Sequence, residues 1–228
     1  MANILCIESA TELCSVAVAI DGVLTALHES KEARSHTQVI TLLIDEALQA
    51  SELDYKDLDA IAVSSGPGSY TSLRIGVSTA KGMCFGLGIP LIAVDTLHAL
   101  AMNIVSNHND QYRRIITTID ARRMEVYEGV FDGFGNRIHP DAAKVYSDQY
   151  FNELREGDII CGTGVEKIAE ILTERDVSYA HYPASASFMI PIAVQKYEDQ
   201  EFEDLAYFVP NYIKPVRIIK SKKNYFKI

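Results

Sequence analysis

The stretch NILCIESATELCSVAVAIDGVLTALH, residues 3–28, decides the fold because it predicts three short consecutive strands. Asn3 to Glu8 is an apolar run that predicts a buried strand. Cys14 to Ile20 alternates around small β-forming residues, and Asp21-Gly22 is a hairpin-turn signal. Val23 to His28 predicts the third strand, so the chain is expected to begin with a β-meander.

Two helices are predicted after the meander. The first spans about residues 36–50, follows a capping box at Ser35, and carries one broad apolar stripe at helical spacing. The second spans about residues 71–87 and begins after the tight turn Gly66-Pro67-Gly68-Ser69. Gly76 lies on a face of small side chains along this second helix. Because a helical glycine costs about 1 kcal/mol relative to alanine, this face indicates close approach to another helix.

The order of elements is repeated in the second half of the chain. A strand is predicted from Arg114 to Asp120, and Ile7-Glu8-Ser9-Ala10 has its counterpart in Ile119-Asp120-Ala121-Arg122. Strands that alternate with helices, twice over, indicate two α/β layers. We therefore predict an α/β fold of the duplicated type shared by actin-like ATPases, sugar kinases and heat-shock-type ATPases. Its N-terminal domain would span residues 1–105 and its C-terminal domain residues 106–228.

Charge is distributed unevenly along the chain. The 228 residues have a net charge of −10, which makes the chain a poor non-specific binder of nucleic acid. Residues 214–228 form a basic tail with six lysines and arginines and no acidic residue. This tail is expected to be solvated, to pack back on the first domain, or to touch phosphates.

The composition also indicates in which cellular compartment the chain is found. No apolar run approaches the roughly 20 residues of a membrane span, and no signal peptide is visible at the N-terminus. The four cysteines form no CxxC pair and lie in apolar surroundings, so buried reduced thiols are expected. These features predict a cytoplasmic chain without membrane contact.

Two turns are hypothetical vestiges of a nucleotide or anion site. Glu8, Ser9 and Thr11 form the first, which lies where actin-like ATPases carry a phosphate turn but lacks the glycines of such turns. Gly162 and Gly164 form the second, which precedes a predicted helix, and helix capping also explains it. No metal and no cofactor are expected, because the six histidines are scattered without metal-binding spacing.

Motifs along the whole chain carry a family resemblance. They are SGPGSYTSLRIG (residues 65–76), STAKG (78–82), ILCIESATELCSVAV (4–18), SHT (35–37), IDARRMEVY (119–127) and PNY (210–212). These motifs resemble the TsaB family, the bacterial tRNA threonylcarbamoyladenosine biosynthesis proteins that are paralogues of TsaD. Ser72 departs from the family, which usually has glycine there, although a small residue is kept.

The resemblance implies a scaffold subunit. Such a subunit pairs with TsaD through the two predicted helices, acts with TsaE, and forms a homodimer through the same surface when alone. The complex transfers threonylcarbamoyl to N6 of the adenosine 3′ of the anticodon in tRNAs that read ANN codons, and the scaffold touches tRNA only indirectly. The hypothetical interface residues of this chain are Val39, Ile40, Leu43, Ile44, Ala47, Tyr70, Leu73, Arg74, Gly76, Val77 and Ala80.

Comparison with TsaD implies that the chain is not an enzyme by itself. TsaD resembles this chain through the GPG turn and then carries two metal-binding histidines in a pattern like VNHxxGH. The matching stretch here is VDTLHAL, residues 94–100. Thr96 and Leu100 stand at the two ligand positions, where neither side chain suits a transition metal, and His98 lies between them.

Three alternatives stay open at the level of sequence. One is an actin-like ATPase or small-molecule kinase with a degenerate phosphate turn, against which the missing glycines argue. Another is a metallopeptidase, against which the missing histidine pair argues. The third concerns the helices, since periodicity alone allows both of their apolar faces to pack inside the chain.

Overall fold

Two five-stranded sheets form the frame of the molecule. The structure is a computed structural model that describes residues 2–31, 36–107, 112–169, 172 and 177–214. The strands of the first sheet are β1 (Asn3–Glu8), β2 (Cys14–Ile20), β3 (Val23–Ser30), β4 (Ala60–Gly66) and β5 (Leu91–Asp95). Those of the second are β6 (Arg114–Asp120), β7 (Glu125–Asp132), β8 (Arg137–Val145), β9 (Asp158–Gly162) and β10 (Ser178–Ala180). In the first sheet the order is β3-β2-β1-β4-β5, and in the second it is β10-β9-β6-β7-β8.

The two sheets repeat one pairing pattern, which confirms the predicted duplicated α/β fold. The first strand of each half pairs antiparallel with the next strand and parallel with a later one. Each half therefore opens with a meander, and the sheet continues through a crossover. The sequence predicts the meander of the first half but not β8, the third strand of the second meander.

Helices connect and cover the sheets, and five of them have both ends within the described residues. α1 and α2 occupy the predicted positions, whereas the predicted Ser35 cap lies outside the described residues. Ser69 caps α2, since its side chain accepts from the Ser72 amide. None of the helices in the described part of the chain is long and apolar enough to cross a bilayer. The bounds are α1 (His36–Ala50), α2 (Tyr70–Leu87), α3 (Thr96–Asn107), α4 (Asp148–Asn152) and α5 (Ile190–Glu198).

Each face of the first sheet has its own apolar cluster. α1 and α2 pack on one face, while α5 and the 3₁₀ turn before it pack on the other. α3 contributes Leu97, Leu100 and Ile104 to a cluster with the second sheet. All four cysteines are free and buried, as predicted.

The chain returns to the first sheet after the second sheet is complete. Glu203 forms a bridge with Leu91 at the start of β5, and the Asn211 amide donates to the Ser65 carbonyl over 2.7 Å. The division between residues 105 and 106 stays a prediction, and residues from 186 onward pack against the first sheet. Except for Lys214, the basic tail lies outside the described residues.

One glycine of α2 is tightly packed and another faces open space, so we expect alanine to change the free energy of unfolding in opposite directions at the two positions. A Cβ on Gly76 would lie 2.2 Å from Ser9 Oγ, whereas a Cβ on Gly82 would meet no described atom within 4 Å. Gly76→Ala should therefore lower the free energy of unfolding by about 1–3 kcal/mol. Gly82→Ala should raise it by about 0.5–1 kcal/mol, because alanine is the better helix former. Urea unfolding of both variants and the parent measures the difference, and equal effects would show that Gly76 is not tightly packed.

Candidate functional site

The turn after β1 is covered by the chain's own GPG turn. The Ser69 amide donates to the Ala10 carbonyl over 2.7 Å, and a Cβ on Gly68 would lie 2.3 Å from that oxygen. Ser9 Oγ donates to the Ser72 carbonyl over 3.0 Å. Glu8 and Ser9 are both fully buried, and Thr11 is half-buried. The structure thus brings the first hypothetical nucleotide turn against the start of α2, whose backbone contacts it directly.

Glu8 is a buried carboxyl without an ion-pair partner among the described residues. Its Oε1 accepts from the Ala10 amide over 2.6 Å, while its Oε2 has no hydrogen-bond partner within the described part of the chain. Burial raises the pKa of this carboxyl to about 7, and the charge of Asp95 acts in the same direction. The group therefore changes its charge close to neutral pH.

Glu8 is expected to make stability depend on pH. The pKa is about 7 in the folded chain and 4.5 for the ordinary side chain, so the folded state binds the proton more tightly. Stability is then fully present below about pH 4.5, falls as the pH rises, and levels off above about pH 7. In Glu8→Gln this fall should be absent, which makes the variant more stable than the parent by roughly 3 kcal/mol at pH 8 and by little at pH 4.5.

Urea unfolding at the two pH values measures this effect. Glu12→Gln, at an exposed carboxyl of the same turn, is the matched control and should give the same small difference at both pH values. An equal stability difference for Glu8→Gln at both pH values would contradict the assignment.

The second hypothetical nucleotide turn lies in the other sheet, at the end of β9. A Cβ on Gly162 would lie 2.1 Å from the Thr118 carbonyl oxygen, and one on Gly164 would lie 2.8 Å from Thr118 Oγ1. Gly162 has a φ of +103°, and the Gly164 carbonyl accepts from the Tyr146 hydroxyl over 3.1 Å. Glycine is thus required here for close packing against β6, a reason independent of any bound anion.

The two residues that stand where TsaD carries its metal-binding histidines are buried in this chain. Thr96 is fully buried at the start of α3, and Leu100 belongs to the core between α3 and the second sheet. His98 is half-buried and stacks on Phe131 with 5.4 Å between ring centroids, and burial lowers the pKa of its imidazole. Within the described ranges, no group of three His, Cys, Asp or Glu side chains is arranged to hold a metal ion.

Most of the hypothetical interface residues lie in the chain's own core, so only the exposed ones are free to meet a partner, and the interface itself stays a prediction. Their apolar or small side chains face the first sheet, and this sheet covers them within a single chain. Of the remaining three, Val39 is half-buried, whereas Tyr70 and Arg74 are exposed. The buried eight are Ile40, Leu43, Ile44, Ala47, Leu73, Gly76, Val77 and Ala80.

A different face of α2 is exposed, and the sequence pattern did not predict it. Ser78, Gly82 and Gly86 recur at four-residue spacing on this face, and Phe85 beside them is 83% exposed. We call these four residues the α2 outer face. Leu42 on α1 is also exposed, at 55%. The small residues at i, i+4 and i+8 could have indicated this face in the sequence. The small residues around Gly76 form an equally strong pattern on another face of α2, so the sequence did not distinguish the two.

A groove of about 420 Å³ lies next to this face, at the start of α2. Thr37 of α1 and Tyr70, Arg74 and Ser78 of α2 line it. Tyr212 packs against Tyr70 with 4.9 Å between ring centroids, and the Arg74 guanidinium lies 5.0 Å from the Tyr70 centroid. The PNY motif and the GPG motif, far apart in sequence, therefore meet at one site.

Comparisons with known proteins agree with this arrangement of motifs. Residues 28–224 match the family model described as "TsaD: tRNA N6-adenosine threonylcarbamoyltransferase". The tRNA threonylcarbamoyladenosine biosynthesis protein TsaB of Buchnera aphidicola subsp. Acyrthosiphon pisum is 35% identical over 161 residues, 70% of this chain and 68% of that protein. The chain belongs to the TsaB family. The TsaB protein of Haemophilus influenzae is 39% identical over 125 residues, 55% of this chain, and the match spans 52% of its length.

Solved structures extend the likeness to the whole fold. A Pseudomonas aeruginosa protein described as similar to the peptidase YeaZ superposes with a TM-score of 0.81 at 25% identity, over 94% of this chain and 100% of the other. The inorganic polyphosphate/ATP-glucomannokinase of an Arthrobacter strain superposes with a TM-score of 0.51 at 12% identity, over 86% of this chain and 100% of that chain. This second likeness shows that the TsaB-family chain shares the kinase fold.

Proposed function

We propose that the chain is a non-catalytic scaffold subunit for tRNA modification. It acts with TsaD and TsaE in the transfer of threonylcarbamoyl to N6 of the adenosine 3′ of the anticodon, in tRNAs that read ANN codons. Membership of the TsaB family supports this proposal, because relatives at 35–39% identity are named as threonylcarbamoyladenosine biosynthesis proteins. The net charge of −10 agrees with indirect contact to tRNA, and we place the complex in the cytoplasm.

The absence of catalysis is supported by one observation above all, the contact between the Ser69 amide and the Ala10 carbonyl. This hydrogen bond and the close approach of Gly68 occupy the turn that binds phosphates in actin-like ATPases. A nucleotide phosphate would have to displace backbone that is already hydrogen-bonded. Thr96 and Leu100, both buried, further support the absence of a metal site of the TsaD kind.

The partner surface we propose is the α2 outer face together with the adjoining groove. Gly82 costs about 1 kcal/mol relative to alanine inside a helix, and no described atom of this chain uses the space above it. A partner helix would use that space for close approach, and the exposed Phe85 would supply an aromatic anchor. We assign this surface, on the N-terminal domain of residues 1–105, to TsaD, and to a second copy when the chain is alone.

Reconstitution tests the function. The purified chain, TsaD, TsaE, ATP, threonylcarbamoyl adenylate and unmodified tRNA are combined, and the modified nucleoside is quantified with and without this chain. Omission of the chain should lower product formation by at least tenfold. Equal product formation without it would contradict the scaffold role.

A second assay separates the scaffold from the alternative, a degenerate actin-like ATPase or small-molecule kinase that acts on its own. The chain alone should show negligible ATP hydrolysis, because the turn at Glu8 to Thr11 is occupied. Turnover that disappears in Glu8→Ala, in protein shown to be free of TsaD, would favour the ATPase. Glu12→Ala, at the exposed end of the same turn, is the matched control.

A further inference from the structure

A cavity of about 290 Å³ lies on one face of the second sheet, between β6, β7, β8 and α4. α4 contains only five residues and β8 is the edge strand of its sheet, so the described residues leave part of this face uncovered. The cavity lies in the other half of the chain from the proposed partner surface. Its polar lining consists of Arg114, Glu128, His139, Lys144, Tyr150 and Glu153.

Two polar groups of the lining are deeply buried. Glu128 on β7 and Tyr150 on α4 are each 8% exposed. The Tyr150 hydroxyl lies beside the Glu128 carboxyl but has no hydrogen bond of acceptable geometry to any described residue. Burial raises the pKa of Glu128 and raises that of Tyr150 well above its ordinary value. The hydroxyl and the carboxyl interact with each other without a hydrogen bond of good geometry, which leaves both able to accept a donor from a ligand.

The basic side chains of the lining differ in how many contacts they already make. Arg114 donates to both carboxylate oxygens of Asp158, over 3.2 and 2.6 Å, and to the Glu153 carbonyl. Arg114 is therefore committed to the fold. Lys144 and His139 are exposed on β8 at the mouth of the cavity, where they can receive an anionic group.

We infer that this cavity binds a small zwitterion of the α-amino acid class. The ammonium group would donate to the Glu128 carboxylate and the Tyr150 hydroxyl in the interior, and the carboxylate would face Lys144 and His139 at the mouth. An ammonium group has three donors, which suits two buried acceptors, and it offsets the cost of a buried carboxylate. A simple anion would be repelled by Glu128 and Glu153, whereas a ligand that carries only positive charge would leave Lys144 without a counter-charge.

Titration of the intact chain with each of the twenty standard L-amino acids tests the inference. At least one should bind with a Kd below about 1 mM, measured by calorimetry. Methylamine and acetate, which carry one half of the zwitterion each, should bind at least tenfold more weakly. Glu128→Gln and Tyr150→Phe should each weaken the amino acid at least tenfold, whereas Glu166→Gln and Tyr179→Phe, at more exposed sites of the same half, should not.

Several outcomes would overturn the inference. One is the absence of binding by every amino acid at concentrations tenfold above that Kd, and another is equal binding of methylamine alone. Tyr150→Phe removes only an oxygen without a hydrogen bond and should fold, so unchanged binding by this variant also overturns the inference. If Glu128→Gln does not fold, the amide chemical shifts of the parent are followed as the amino acid is added. They should change at the residues that line the cavity, and changes confined to other residues would reject the site. None of these measurements involves TsaD, so the result is independent of the scaffold proposal.

Discussion

Replacement of Ile44 by glutamate is expected to unfold the chain, whereas the same replacement at Leu42, on the same helix, is expected to leave it folded. Ile44 is 1% exposed within the cluster between α1 and the first sheet, while Leu42 is 55% exposed. A carboxylate at position 44 would be buried without a partner, which costs several kcal/mol. Domains are stable by only about 5–15 kcal/mol, so that loss is enough to populate the unfolded state.

Thermal unfolding of the two variants, followed by circular dichroism, measures the contrast. Leu42→Glu should keep a cooperative transition within a few degrees of the parent, while Ile44→Glu should show none or one at a much lower temperature. Leu43→Glu should behave like Ile44→Glu, because Leu43 is 6% exposed. A stable Ile44→Glu variant that has lost TsaD would contradict the core assignment and restore Ile44 to the partner surface.

Gly82→Arg is expected to abolish the complex with TsaD without loss of folding. The position faces open space in the described structure, so the long side chain has room in the isolated chain. In the proposed complex the same side chain would separate the two helices and place a charge in their contact. A weakening of at least a hundredfold, about 2.7 kcal/mol, is expected.

Size-exclusion co-elution with TsaD and thermal unfolding of the isolated variant are the two measurements. Asn152→Arg, which adds the same charge to an exposed position on α4 in the second half, is the matched control and should bind TsaD like the parent. A folded Gly82→Arg variant that still co-elutes with TsaD would place the partner surface elsewhere.

The sequence by itself determined the order of elements and the family. The alternation in residues 14–20, the apolar stripe of α1 and the turn at Gly66 to Ser69 are local signals, and local periodicity reflects which side of an element is apolar. The repetition of this order then indicated a duplicated fold. The motifs that carry the TsaB resemblance needed no coordinates either.

Only the tertiary structure decided what covers each apolar or small face. Periodicity shows that Gly76 and Ile44 lie on helix faces that must be buried. A face buried against the chain's own sheet and a face buried against a partner helix have the same sequence pattern. In this chain both faces pack against the first sheet and the turn that follows β1. In that turn, Ser9 donates a hydrogen bond to the carbonyl of Ser72, which lies 63 residues later in the sequence. The meeting of Asn211 with Ser65, and of Tyr150 with Glu128, likewise depends on contacts between distant segments, which no local pattern encodes.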